Sequence, residues 1–133
     1  MSAGTASRQP GAGLIRNLTE VTLRPVDMAG VKGVRMGIMC GREHGAPNFA
    51  LRQFQVEPAG HSPRHSHDYE HEVYVVSGGG TVLLDGQERS IRQGDVIYVP
   101  ADHEHQFKAG EQGMTFLCLV PVMRNCGEAT PGA

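Results

Sequence analysis

The 133-residue sequence has no run of basic residues. Its 12 Lys and Arg and 14 Asp and Glu are interspersed and leave a formal net charge of −2. That balance argues against a nucleic acid or an anionic membrane surface as partner. No apolar run approaches the roughly 18 residues that span a bilayer. The opening MSAGTASRQPGAG lacks the apolar stretch of a secretory signal, so the cytoplasm is the expected compartment. Cysteine is scarce. Cys40, Cys118 and Cys126 are odd in number and show no C-x-x-C spacing, which fits reduced thiols better than a disulfide framework or a zinc knuckle. Internal repeats and long segments of helical period are missing as well.

What is present is a set of short runs rich in β-branched residues, cut by turn signals, in a chain of single-domain size. The segments 33–39, 48–56, 71–77, 81–85, 89–92, 95–100 and 115–121 read as strands. Asp85-Gly86 is a strong hairpin signal, because a type I′ turn needs positive φ at both central residues. Gly78-Gly79-Gly80 and Gln93-Gly94-Asp95 read as further turns, and residues 43–47 as a longer loop. Many short strands at close spacing predict an all-β sandwich or barrel. Residues 1–17 and 123–133 are rich in Ala, Gly, Ser and Pro and read as flexible tails around a barrel of residues 18–122.

Four of the seven histidines lie in HSPRHSHDYEH, residues 61–71. His65, His67 and His71 share one strand parity, and His103 and His105 follow at a later strand boundary. Imidazoles aimed from neighbouring strands into one cavity would make a metal site. Gly60-(x4)-His65-x-His67-(x3)-His71-(x6)-Gly78 resembles the first motif of the cupin family, and Gly94-(x5)-Pro100-x-Asp102-(x2)-His105 resembles the second. Within that family, RHSHDYEHEVYVV resembles small single-domain cupins that bind manganese through four histidines.

The resemblance implies a double-stranded β-helix, or jelly-roll barrel, with one divalent metal in its mouth. It implies His65, His67, His71 and His105 as ligands and manganese as the metal; softness alone leaves iron, copper, nickel and zinc open. The family usually has Glu where His71 stands, and Glu72 could fill a variant with one more spacer residue. Spacing alone therefore leaves the third ligand open. Two family positions differ here: the usual Gly is Asp102 and the usual Asn is Ala109.

Four neutral imidazoles leave a divalent ion its full charge and two open positions, which favours anionic or oxygen-donor ligands. Strand parity puts Ala50, Arg52, Phe54 and Val56 on one face of their strand and Phe116, Cys118 and Val120 on one face of theirs, both turned into the barrel. Arg52 is then either a clamp for a substrate carboxylate or a side chain snorkelling at the barrel end. Cys118 reads as a buried apolar filler, and Phe116 as a cavity wall. His103 is expected beside the ligands or facing solvent, His44 in a loop, Glu43 and Glu70 on the surface, and Tyr69 at the cavity rim.

The expected function is a metal-dependent oxidoreductase of the dioxygenase or oxygenase kind, acting on a small molecule. The alternative is a non-catalytic cupin module that holds a metal or small ligand. A homodimer is expected, with residues 19–26 either pairing across to a second subunit or closing their own barrel.

Overall fold

The computed structural model describes residues 12–122; the rest of both expected tails, and Cys126, lie outside the described residues. The strands are β1 (Arg24–Pro25), β2 (Lys32–Cys40), β3 (Phe49–His61), β4 (His71–Leu84), β5 (Gln87–Arg92), β6 (Val96–Val99) and β7 (His105–Pro121). All pairings between them are antiparallel, in the order β1-β2-β3-β7-β4-β5, with β6 on β4. The Asp85-Gly86 turn is where the sequence places it, with φ of 52° and 81° joining β4 to β5.

Two long strands make this sheet a barrel. The start of β4, His71–Tyr74, pairs with β6 and with the last part of β7. Its end, Gly79–Leu84, pairs with β5 and the first part of β7. Each strand therefore belongs to both walls of a jelly roll.

The glycine triplet that reads as a turn is instead the bend inside β4. Its register against β7 shifts between Val75 and Ser77 and again between Gly78 and Gly80. Gly78 has φ of 74°. A Cβ there would collide with the carbonyl oxygen of Gly113, and one on Gly80 with that of Lys108. Only glycine lets β4 bend while β7 lies this close.

The inner face follows the expected parity. Ala50, Arg52, Phe54, Val56, Phe116, Cys118 and Val120 are all buried. Phe116 stacks on Phe54 and on Phe107, with ring centroids 5.1 and 5.0 Å away. This aromatic column fills the barrel below the histidines.

Within residues 19–26, Arg24, Pro25 and Val26 bond to β2 of their own chain. A 3₁₀ turn at Leu18–Glu20, capped by Asn17, leads to β1, where Arg24 faces Met36 and Pro25 faces Arg35. Arg16, inside the segment read as a tail, already donates to the carbonyls of Ile38 and Met39.

Candidate metal centre

Four imidazoles meet at one mouth of the barrel, from two kinds of backbone. His71 opens β4 and His105 opens β7; they are 0% and 1% exposed. His65 and His67 come from the stretch between β3 and β4, which forms no regular strand. A backbone bridge ties that stretch down. The His65 amide donates to the His105 carbonyl at 3.1 Å, and the His105 amide to the His65 carbonyl at 2.9 Å. The carbonyl of His67 accepts from the amide of Asp102. Asp102 has φ of 69°, so this position does need a left-handed backbone, which Asp tolerates better than most residues.

Candidate ligand nitrogens of His65, His67 and His105 lie within 4.8 Å of one another. The His71 ring joins them, its centroid 4.8 Å from that of His67 and 5.1 Å from that of His105. His105 Nδ1 is 2.9 Å from the carbonyl oxygen of His103. A carbonyl only accepts, so the proton sits on Nδ1 and Nε2 keeps its lone pair. The Nε2 atoms of His67 and His71 are buried and have no hydrogen-bond partner.

All three sequence-nominated cavity residues are buried beneath this ring. Arg52 is 0% exposed, so it does not snorkel at the barrel end. Its guanidinium lies 5.0 Å from the Phe54 ring centroid, and Nη2 donates to Cys118 Sγ at 3.0 Å. Cys118 Sγ is also 3.1 Å from His71 Nδ1. Cys118 is thus buried as expected but makes polar contacts, which a plain apolar filler would not. Phe116 belongs to the aromatic column.

The site resists protonation. Burial, then repulsion from His65, His105 and Arg52, lowers the His67 pKa to about 3. Burial, then Arg52 and the other three histidines, lowers that of His71 to about 2. Both rings are therefore neutral at ordinary pH, the form that donates a lone pair to a cation. Bare buried nitrogens, neutral imidazoles and a fixed tautomer fit a divalent metal.

Glu72, the alternative third ligand, alternates to the opposite side of β4 from buried His71. A hydrogen bond to Glu70, with partial burial and repulsion between the two carboxylates, raises its pKa. Tyr69 stacks on His67 at 4.5 Å, in accord with a rim position. His103 pairs with the Asp85 carboxylate, a contact hidden from sequence reasoning because nothing in the chain links the β4–β5 turn to residue 103. His44 is not a loop residue but is buried in a 3₁₀ turn, where Nδ1 accepts from the Gly41 amide and Nε2 contacts Arg16. His61 pairs across β2 and β7 away from the ring.

A jelly-roll barrel with inward histidines at its mouth defines a class of small metal-site barrels. The Cupin domain family matches residues 52–120, and the chain belongs to that family. It is 32% identical over 76 residues to the 1-methylthio-D-xylulose 5-phosphate methylsulfurylase of Rhodospirillum rubrum, covering 56% of this chain and 49% of the relative. It is 38% identical over 63 residues to the dimethylsulfoniopropionate lyase DddW of Ruegeria pomeroyi, covering 47% of this chain and 37% of that one. The chain thus spans half or less of the length of these curated relatives. The solved structure of the polyketide cyclase RemF from Streptomyces resistomycificus resembles it with a TM-score of 0.78 and 29% identity, covering 84% of this chain and 80% of that one. Among the described residues no helix is long and apolar enough to cross a membrane.

Proposed function

We propose that this cupin is a metal-dependent enzyme acting on a small molecule in the barrel mouth. His65, His67, His71 and His105 would hold one divalent ion, manganese first, with iron, copper, nickel and zinc as alternatives. The observation that carries the reading is the pair of buried, unpartnered Nε2 atoms of His67 and His71 inside a ring of four imidazoles. Buried polar atoms are rarely left without a partner, and a cation would satisfy both. The ion would supply Lewis-acid chemistry to an oxygen donor and, for a redox metal, electron transfer.

The chain's own groups select what binds beside it. No carboxylate belongs to the ring, so the metal's charge stays uncompensated. Arg52 adds a buried cation whose field reaches His67 and His71. Positive charge from the ion and from Arg52 beneath the ring favours a small carboxylate or similar anion. The aromatic column closes the floor, so the ligand enters from the histidine side.

Two reaction classes follow. The oxygenase class rests on the sequence reading. A cleavage or cyclisation without net oxidation is favoured by two relatives whose names are a lyase and a cyclase. Elemental analysis of untagged protein, then oxygen uptake and product analysis with small carboxylates, diols and phenols, separates them. About one metal per chain with turnover is expected; a chain that binds no metal sinks the proposal, and metal without turnover leaves the binding-module alternative. Arg52→Ala should weaken binding of a small carboxylate to the loaded protein by about tenfold, the size of a charge-assisted contact. Equal affinities would remove the anion from the reading.

The homodimer remains part of this proposal. Its support is an apolar outer patch, where Tyr74, Val96 and Tyr98 are 46%, 69% and 55% exposed. Sedimentation velocity decides it.

A further inference from the structure

A backbone carbonyl fixes His105, whereas His71 rests on a sulfur. The strands explain how. Arg52 on β3 and Cys118 on β7 are register partners, and Cys118 also faces Val73 on β4, two residues from His71 and on the same side. Three neighbouring strands thus deliver Arg52, Cys118 and His71 in a row. Arg52 Nη2 lies 3.0 Å from the sulfur, and His71 Nδ1 lies 3.1 Å from it on the other side.

We infer that Cys118, held in place by Arg52, is a positioning residue that fixes the tautomer of His71. It keeps the proton on Nδ1 and turns the lone pair of Nε2 toward the other three imidazoles. The inference takes its purpose from the four-histidine reading above.

Guanidinium N–H groups only donate, so the sulfur already serves as an acceptor toward Arg52. It can accept from Nδ1–H in the same way. The opposite arrangement has the thiol donating to Nδ1 and puts the proton on Nε2. That nitrogen is buried and has no partner. A proton there would be an unsatisfied buried donor, and it would block the nitrogen through which His71 can bind a cation. Groups that hold the far nitrogen of a metal-binding histidine are known in general to set both its tautomer and its orientation. In this barrel a thiol fills that place, and the buried guanidinium beyond it fixes the thiol in turn.

The test begins without metal. Long-range ¹H–¹⁵N correlation spectra of histidine-labelled, metal-free protein should show His71 protonated at Nδ1 and bare at Nε2. Cys118→Ser, which keeps an acceptor, should preserve that pattern. Cys118→Ala and Cys118→Val should give a mixture of tautomers. Zinc affinity, measured by competition with a chromophoric chelator, should fall about tenfold or more in Cys118→Ala and Cys118→Val but no more than about threefold in Cys118→Ser. Valine fills the space of the thiol, so it carries the test if the alanine variant fails to fold. An Nε2-protonated His71 in the wild type overturns the inference, as does an unchanged tautomer and affinity in both apolar variants. If the wild type binds no zinc, the four-histidine function fails, and the nitrogen spectra still decide this inference separately.

Discussion

The four histidines stand on two unlike pieces of chain. His71 and His105 open the two long strands of the barrel and are almost fully buried. His65 and His67, both half-buried, stand on the irregular stretch before β4, which β7 holds through the His65–His105 bridge and the bonds of Ser62 to Phe107. One pair belongs to the framework and the other is laid onto it. The difference teaches that folding and metal affinity should be separable here: damage to the first pair costs both, and damage to the second costs chiefly the metal.

Among substitutions the largest effect should come from His105→Ala. It removes a buried ring packed against Phe107, at 6.3 Å between centroids, together with the bond to the His103 carbonyl. A loss of about 2–4 kcal/mol in urea unfolding is expected, along with loss of stoichiometric metal. His67→Ala should also abolish stoichiometric metal, yet move metal-free stability by less than about 1 kcal/mol, because it removes a half-buried ring whose buried Nε2 has no partner. Equal stability losses in the two variants would erase the comparison.

A second effect depends on pH. His67 and His71 have folded pKa values of about 3 and 2 against an ordinary 6.5. Above pH 6.5 both states carry them neutral, and neither contributes. Below it the unfolded chain takes up protons that the folded chain refuses. Metal-free stability should therefore fall as pH drops from 6.5 toward 3, by up to about 1.4 kcal/mol per unit for each histidine. Removing His67 should flatten the slope. A metal-free protein equally stable at pH 7 and pH 5 would contradict these environments.

The smallest effect sharpens the comparison at the backbone. Asp102 holds a left-handed conformation and donates its amide to the His67 carbonyl. Asp102→Gly should change stability by less than about 1 kcal/mol, since eased strain offsets the added freedom of the unfolded chain, and should leave metal content unaltered. A loss of metal in this variant would show that the aspartate side chain itself supports the site.

Strand phase was legible in the sequence because alternation is local: Ala50, Arg52, Phe54 and Val56, and Phe116, Cys118 and Val120, turn inward as their parity requires. The histidine cluster was legible because three of its members lie within seven positions. The bend in β4 was not. A glycine triplet means a turn when read locally, and only the closeness of β7, some thirty residues further on, makes it a crossing point within a strand. Spacing could not decide between His71 and Glu72, which are neighbours on opposite faces of β4. Nor could it show that His44 is buried, since its partners Gly41 and Arg16 are drawn together by the 3₁₀ turn and by the incoming N-terminal segment. The sulfur between Arg52 and His71 needs three strands in register before it exists at all.

The last strand among the described residues, β7, is not at the edge of the sheet but between β3 and β4, both of which precede it in the chain. Until β7 arrives, β3 and β4 each hold an open hydrogen-bonding edge, and neither the His65 bridge nor the sulfur contact of Arg52 can form. The site is thus a late product of folding. Its assembly waits on insertion of a central strand, a non-local step of the kind that slows β proteins to the millisecond-to-second range. During synthesis the two open edges are the places where a second, equally unfinished chain could pair.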